Sequence, residues 1–334
     1  MRPIFLALAA TLAAAPALAE ELNLYSARHY DTDERLYADF EDQSGITINR
    51  IEAKASELAT RIKAEGRNSP ADVYMTVDVG RLVRAEADGL LQPVESETLT
   101  ARIPANLRDE DGHWFGFSTR ARMIFYSKDR VPKPPQSYED LADPRYEGQV
   151  CTRSSSNIYM QSLMAAIVAH LGEEAATAWA EGLHANLARK PQGGDTDQLR
   201  GIVSGECDIA LANSYYFARA LRKDVKGLTD SIGEIGWVFP NQDGRGTHVN
   251  ISGAGIAANA PNRENALRFL EYLASDRAQA YFSAGNDEFP AVEGAEVSAA
   301  AAKLGAFEAD DLPLSQIGEH QVEAQKIYDR VGYE

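Results

Sequence analysis

Residues Leu22–Ile51 read LNLYSARHYDTDERLYADFEDQSGITINRI, and the apolar period changes twice within them. Leu22-Asn23-Leu24-Tyr25 alternates as a short strand does, with side chains turned to opposite faces. Asp31 is predicted to cap a helix through Asp31-x-x-Glu34, with Leu36, Tyr37 and Phe40 on one face and Gly45 as its stop. Ile46 to Ile51 alternates again. The pattern continues outward with a helix over 57–64 carrying Leu58 and Ile62, a strand over 72–76 and a helix over 80–87. A β-α-β-α start implies a parallel sheet and an α/β class. The proline-rich stretch 131–148 reads as a surface connection with one helical turn at 138–141. Beyond Val150 the pattern restarts: a strand, a serine-rich turn, and a helix carrying Leu163, Ile167 and Leu171. Strands at 209–211 and 235–239, a glycine-rich apolar run at 250–258 and a helix over 263–282 complete a second α/β lobe. In that last helix Leu267, Leu270, Ala274, Ala278 and Tyr281 fall on one stripe.

Met1-Arg2, the apolar run Ile4 to Ala14 and Ala17-Leu18-Ala19 ahead of Glu20 form an export leader over residues 1–19. The run is too short for a membrane span, and no cysteine at the cleavage point offers a lipid anchor. A soluble periplasmic protein is expected. The chain carries 33 Lys+Arg against 50 Asp+Glu, a formal charge of −17, with no basic stripe, which excludes nucleic acid as a partner. Only Cys151 and Cys207 occur, outside any Cys-x-x-Cys motif. Export and an even count favour a disulfide over two buried thiols. Such a bond would tie together the segments leading to Tyr159 and Tyr215.

Three tyrosine-bearing turns each precede a predicted helix: Arg28-His29-Tyr30-Asp31, Ser154 to Tyr159, and Asn213-Ser214-Tyr215-Tyr216. A phenol ionises near ~10, so a phenolate at neutral pH needs a strong positive influence. Ferric ion supplies one, and oxygen donors with one imidazole suit a hard cation. Helix N-termini add a weaker preference for negative charge. Elsewhere, Gly193-Gly194 opens no phosphate loop, and Asp195 and Asp197 read as a solvated turn. His248 reads as structural, and His113, His170, His184 and His320 as surface or packing residues. Neither Gly-x-Ser-x-Gly nor His-Glu-x-x-His is present, so no enzyme chemistry is expected.

Four segments resemble the periplasmic ferric-ion-binding proteins of iron ABC importers: Leu24 to Asp33, Arg153 to Tyr159, Gly205 to Tyr216 and Arg245 to Gly255. The resemblance runs through the whole mature chain and falls in its tyrosine-rich subfamily. It implies a two-lobed type II periplasmic binding protein, with mixed, mainly parallel sheets, two crossover strands and a ligand in the cleft. The lobes would comprise residues 20–117 with 242–293, and 118–241 with 294–334. It further implies that Tyr30, Tyr159, Tyr215 and Tyr216 ligate Fe(III), and that His29 matches a histidine that ligates in some members only. Ser118 to Arg122 resembles an Arg-Ala-Arg stretch near the cleft, placing Arg120 closer to the iron than Arg122. Four phenolates on Fe(III) leave one negative charge, for which Arg120 is the expected counter-charge. The acidic ligand of the His-Glu-Tyr-Tyr type is absent, which leaves open a synergistic anion such as carbonate. A monomer that captures ferric ion and passes it to an inner-membrane ABC permease is the expected function. The alternatives are a binding protein of the same fold for an organic anion or polyamine, and a secreted tyrosine-metal enzyme.

Overall fold

The computed structural model describes residues 20–28 and 30–334; the leader and His29 lie outside the described residues. The chain begins with β1 (Glu21–Ser26), α1 (Asp33–Ser44), β2 (Thr47–Glu52), α2 (Ala55–Glu65), β3 (Val73–Val77), α3 (Val79–Ala87), α4 (Glu97–Arg102) and β4 (Phe115–Ser127). It continues with β5 (Val150–Cys151), α5 (Ile158–Ala185), α6 (Asp195–Ser204), β6 (Ile209–Asn213), α7 (Ser214–Arg222) and β7 (Ile235–Val238). It closes with β8 (Val249–Ile256), α8 (Arg263–Leu273), α9 (Asp276–Asn286), β9 (Phe289–Pro290), α10 (Ala299–Ala302) and α11 (Leu314–Arg330).

The strand order is β2-β1-β3-β8-β4-β6-β5, with β7 and β9 also on β4. As the β-α-β start requires, β1 pairs parallel with β2 and β3. The long β4 joins two halves. Its first part pairs antiparallel with β8, from Phe115↔Ala254 to Ala121↔Val249. Its second part pairs with β6, from Arg122↔Asn213 to Tyr126↔Ile209, and with β7. The chain returns at Thr247 to Asn250, where His248 O accepts from Arg122 N–H at 3.0 Å, and enters β8. This is the two-lobed α/β architecture with crossover strands. A large core includes Trp114, Phe117, Leu270 and the buried faces of α5 and α11. A smaller one gathers Phe125, Ala210, Phe217 and Leu304.

Several local expectations are corrected. α1 starts at Asp33 with Thr32 at its cap, not at Asp31. Buried Arg28 grips the Asp33 carboxylate through Nε (2.9 Å) and Nη2 (3.2 Å), fixing where the turn becomes helix. Gly45 does end the helix, at φ +73°, which costs a glycine little. The helix expected over 263–282 is two helices. Ser275 interrupts it, its Oγ accepting from Ala278 N–H at 3.2 Å to start α9. Leu270, Ala274 and Ala278 are buried, while Leu267 and Tyr281 are half-buried. In α5 Leu163 and Ile167 face the core, but Leu171 is exposed because Gly172, at φ +79°, kinks the helix there. Asp195 is no solvated turn: it opens α6 and is fully buried.

Cys151 and Cys207 form a disulfide with Cα atoms 5.8 Å apart, joining β5 to the turn before β6. A Cβ at Gly201 would meet Cys207 Sγ at 2.7 Å, so α6 packs directly on the bond.

Candidate metal centre

Two of the tyrosine turns are built alike. Asn157 caps α5, its Oδ1 accepting from Tyr159 N–H at 3.1 Å, which places Tyr159 in the first turn. Asn213 stands at the start of α7, with Tyr215 and Tyr216 in its first turn. Its side chain does not cap, because Oδ1 accepts from Arg122 Nη1 at 3.1 Å instead. Both cap positions are therefore asparagines.

The phenols converge. Tyr159 Oη lies 3.3 Å from Tyr215 Oη, and the rings of Tyr215 and Tyr216 are 4.2 Å apart, centroid to centroid. Tyr30 lies close enough that its charge bears on both Tyr215 and Tyr216. Burial, then the neighbouring Glu288, pushes the Tyr30 phenol up to about 12. Burial and the surrounding phenols raise Tyr215 and Tyr216 as well. At neutral pH these three phenols therefore stay protonated unless a cation joins them. A cluster of hard oxygen donors that ionises only against a cation is suited to a hard, highly charged ion.

Guanidinium groups surround the rings. Arg28 lies 4.7 Å from the Tyr30 centroid, Arg153 5.4 Å from Tyr159, and Arg120 6.0 Å from Tyr215. Arg219 lies 5.5 Å from Tyr215 and 5.7 Å from Tyr216. Only Arg120 of these four was singled out in the sequence, although Arg219 follows the tandem tyrosines at helical spacing on α7. Arg122 stands behind the site. Its Nη1 donates to Asp195 Oδ2 at 2.8 Å, and Asp195 Oδ2 also accepts from Asn213 N–H at 2.9 Å.

Arg120 is not a free counter-charge. Its Nη2 donates to Ser252 Oγ and to Glu288 Oε1 (2.6 Å), while Glu288 Oε2 accepts from Ser118 Oγ (2.9 Å) and Arg28 Nη1 (3.1 Å). Burial would raise the Glu288 carboxyl, but Arg28 and Arg120 hold it down to about 2. Arg28, Arg120, Asp33 and Glu288 thus neutralise one another. Among the described residues, Arg120 Nε and Nη1 nevertheless remain buried without a hydrogen-bond partner, so this side chain still offers donors. Among the described residues Arg219 has no carboxylate partner, and it stands over two of the phenols.

The remaining histidines lie elsewhere. His248 is buried and pushed down to about 3 by that burial and by Arg122, so it is neutral. His170 pairs with Asp310 at 2.7 Å. His113 Nδ1 lies 2.8 Å from Asp109 Oδ2, and their ligand atoms group with that of Glu86.

Residues 68–309 match the family described as bacterial extracellular solute-binding protein. The chain belongs to that family, on the branch that holds the ferric-ion-binding proteins its sequence resembles. It is 49% identical over 325 residues to iron uptake protein A1 of Synechocystis, covering 97% of this chain and 90% of that one. It is 29% identical to the major ferric iron-binding protein of Neisseria meningitidis, over 84% of each chain. The structure of a Trichodesmium relative in complex with iron and citrate ligands superposes with a TM-score of 0.91. That pair is 50% identical over 94% of this chain and 100% of that one.

Proposed function

We propose that this protein captures Fe(III) reversibly between its lobes in the periplasm and hands it to an inner-membrane ABC permease. The observation that carries the reading is the convergence of phenols at the junction of three turns, with Tyr159 and Tyr215 in oxygen-to-oxygen contact. Tyr30, Tyr159, Tyr215 and Tyr216 are the proposed ligands, with His29 as a fifth. Each phenol releases a proton as its oxygen binds iron, so capture is coupled to proton release. Four phenolates leave one negative charge on the complex, and Arg219 is the proposed counter-charge. Arg120, with Nε and Nη1 unpartnered among the described residues, is proposed to hold a carboxylate or carbonate oxygen beside the metal.

We assign the leader over 1–19 to cleavage on export, and the mature chain to a monomer without enzymatic activity. Among the described residues no helix is long and apolar enough to cross a membrane. The lobes are proposed as 20–117 with 242–293, and 118–241 with 294–334. In support, α8 packs on β1, α9 on α1 and α10 on α7, while α11 spans α5 and α3.

The test is a titration of apo-protein with ferric citrate. A visible phenolate-to-iron charge-transfer band, saturating at one iron per chain, is the expected result. Tight binding of a colourless organic anion or polyamine without such a band would favour the alternative ligand class.

A further inference from the structure

A cavity of about 490 Å³ opens beside the tyrosine turns. Ala27 and Ile158, which flank the segments bearing Tyr30 and Tyr159, both line it, so it lies at the junction of the halves that hold the phenols. Lys54 at the start of α2 and Arg81 and Arg84 on α3 contribute to its wall, against a single carboxylate, Asp88. Asp88 is already shared by Arg84 (3.1 Å) and Lys63 (3.9 Å). Lys54 meets Glu57 only at 3.8 Å, between two exposed side chains, a pairing of little strength. Arg81 forms no ion pair among the described residues, although its charge bears on the buried Asp78 carboxyl; its Nη1 donates to Val77 O at 3.2 Å. A net positive cavity on a chain of formal charge −17 runs against the rest of the molecule.

Ferric ion at neutral pH precipitates as hydroxide unless a chelator holds it. The small chelators suited to a hard cation carry several carboxylates, so their iron complexes are anionic. An acidic protein repels such a complex, and a cationic recess reverses the field where it matters. We propose that this cavity is the docking subsite for the polycarboxylate part of an anionic ferric chelate, distinct from any anion in the iron's own coordination shell. The proposal rests on the ferric reading of the tyrosine site. Arg81, Arg84 and Lys54 hold the carboxylates while the phenols take the metal. In each exchange an Fe–O bond to a chelator carboxylate breaks, a phenol proton passes to that carboxylate or to water, and an Fe–O(phenolate) bond forms. Iron stays ferric throughout.

The experiment follows growth of the visible band in stopped flow, loading apo-protein from ferric citrate or from neutral ferric tris(acetohydroxamate). Wild type is compared with a Lys54→Gln/Arg81→Gln/Arg84→Gln variant whose fold is checked by circular dichroism. Loading from ferric citrate is expected to slow about tenfold or more in the variant, and in wild type to slow as salt is added. Loading from the neutral chelate, and the final band, should not change. Arg81→Gln alone, expected to slow citrate loading about threefold, serves should the triple variant fail to fold. Iron-free citrate should inhibit loading from ferric citrate in wild type only, which separates free polycarboxylate binding from recognition of the intact chelate. Equal rates from ferric citrate in all proteins, or equal slowing from both chelates, would overturn the subsite. Absence of any band from either chelate in wild type would instead reject the ferric reading, and the subsite with it.

Discussion

Tyr215 and Tyr216 sit in the first turn of one short helix, where replacing a hydroxyl by hydrogen leaves the ring and its packing in place. Tyr215→Phe or Tyr216→Phe should therefore weaken Fe(III) binding beyond the ~10–100-fold typical of losing an outer partner of a ligand, and shift the visible band. Unchanged affinity and spectrum in both variants would reject these ligands. Acid release reports on the counter-charge. Protons compete with iron for phenolate oxygen, so removing a nearby cation moves the release midpoint to higher pH. A guanidinium over a half-buried ring such as that of Tyr216 contributes ~0.5–1 kcal/mol, so Arg219→Ala should raise the midpoint by about 0.5 pH unit. Arg219→Lys should restore part of that, and identical midpoints would remove Arg219 from the iron's electrostatic reach. Glu288 makes a different prediction. Glu288→Gln leaves Arg28 and Arg120 buried against a neutral amide, a loss expected at about 3–5 kcal/mol in chemical denaturation. Its folded carboxyl sits below the ordinary value of 4.5, at about 2. The stability it contributes is therefore present above pH 4.5 and lost as pH falls toward 2. The wild-type acid limb across that window should flatten in the variant. None of this network was legible in the sequence, because Glu288 lies 168 residues from Arg120 and only the fold joins them.

Elements were legible where a single face is buried. β1, α1 and β2 follow from period alone, and the disulfide from export and cysteine count. β4 escaped because both of its faces are buried: FGFSTRARMIFYS shows no alternation, and although its two arginines were expected near the cleft, their carboxylate partners Glu288 and Asp195 emerge only from the fold. Asp195 escaped for the same reason, since its partners are Arg122 and the Asn213 amide. The site was legible as a set of turns with Arg120 beside it, but the rest of its ring of guanidiniums was not, although Arg219 follows the tyrosines at helical spacing. At this scale the disulfide carries a test. Cys151→Ser/Cys207→Ser should lower stability by ~2–4 kcal/mol, mainly by releasing the unfolded chain. Iron affinity should fall too, because β5 and the turn before β6 lead to the segments that carry Tyr159 and Tyr215. A loss of stability with wild-type iron affinity would show that the bond does not set the spacing of those turns.

At the scale of the molecule, the lobes share β4 as one unbroken strand, so opening is expected as bending rather than as sliding of one lobe over the other. Small-angle scattering should show a smaller radius of gyration with iron than without, and equal radii would indicate that the protein does not close on its ion. The same connectivity governs how the protein comes into being. The sheet of the first half places β8 between β3 and β4, so its centre is filled by a strand made long after its neighbours; Asn250 reaches Val79 across 171 residues. Contacts so distant along the chain form late and slowly. A partly translocated chain then lacks the strand that would let its first half fold. The nascent protein is therefore expected to stay extended and exportable until most of it has been made, and a circular permutant with β8 moved to its N-terminus should fold early and be secreted poorly.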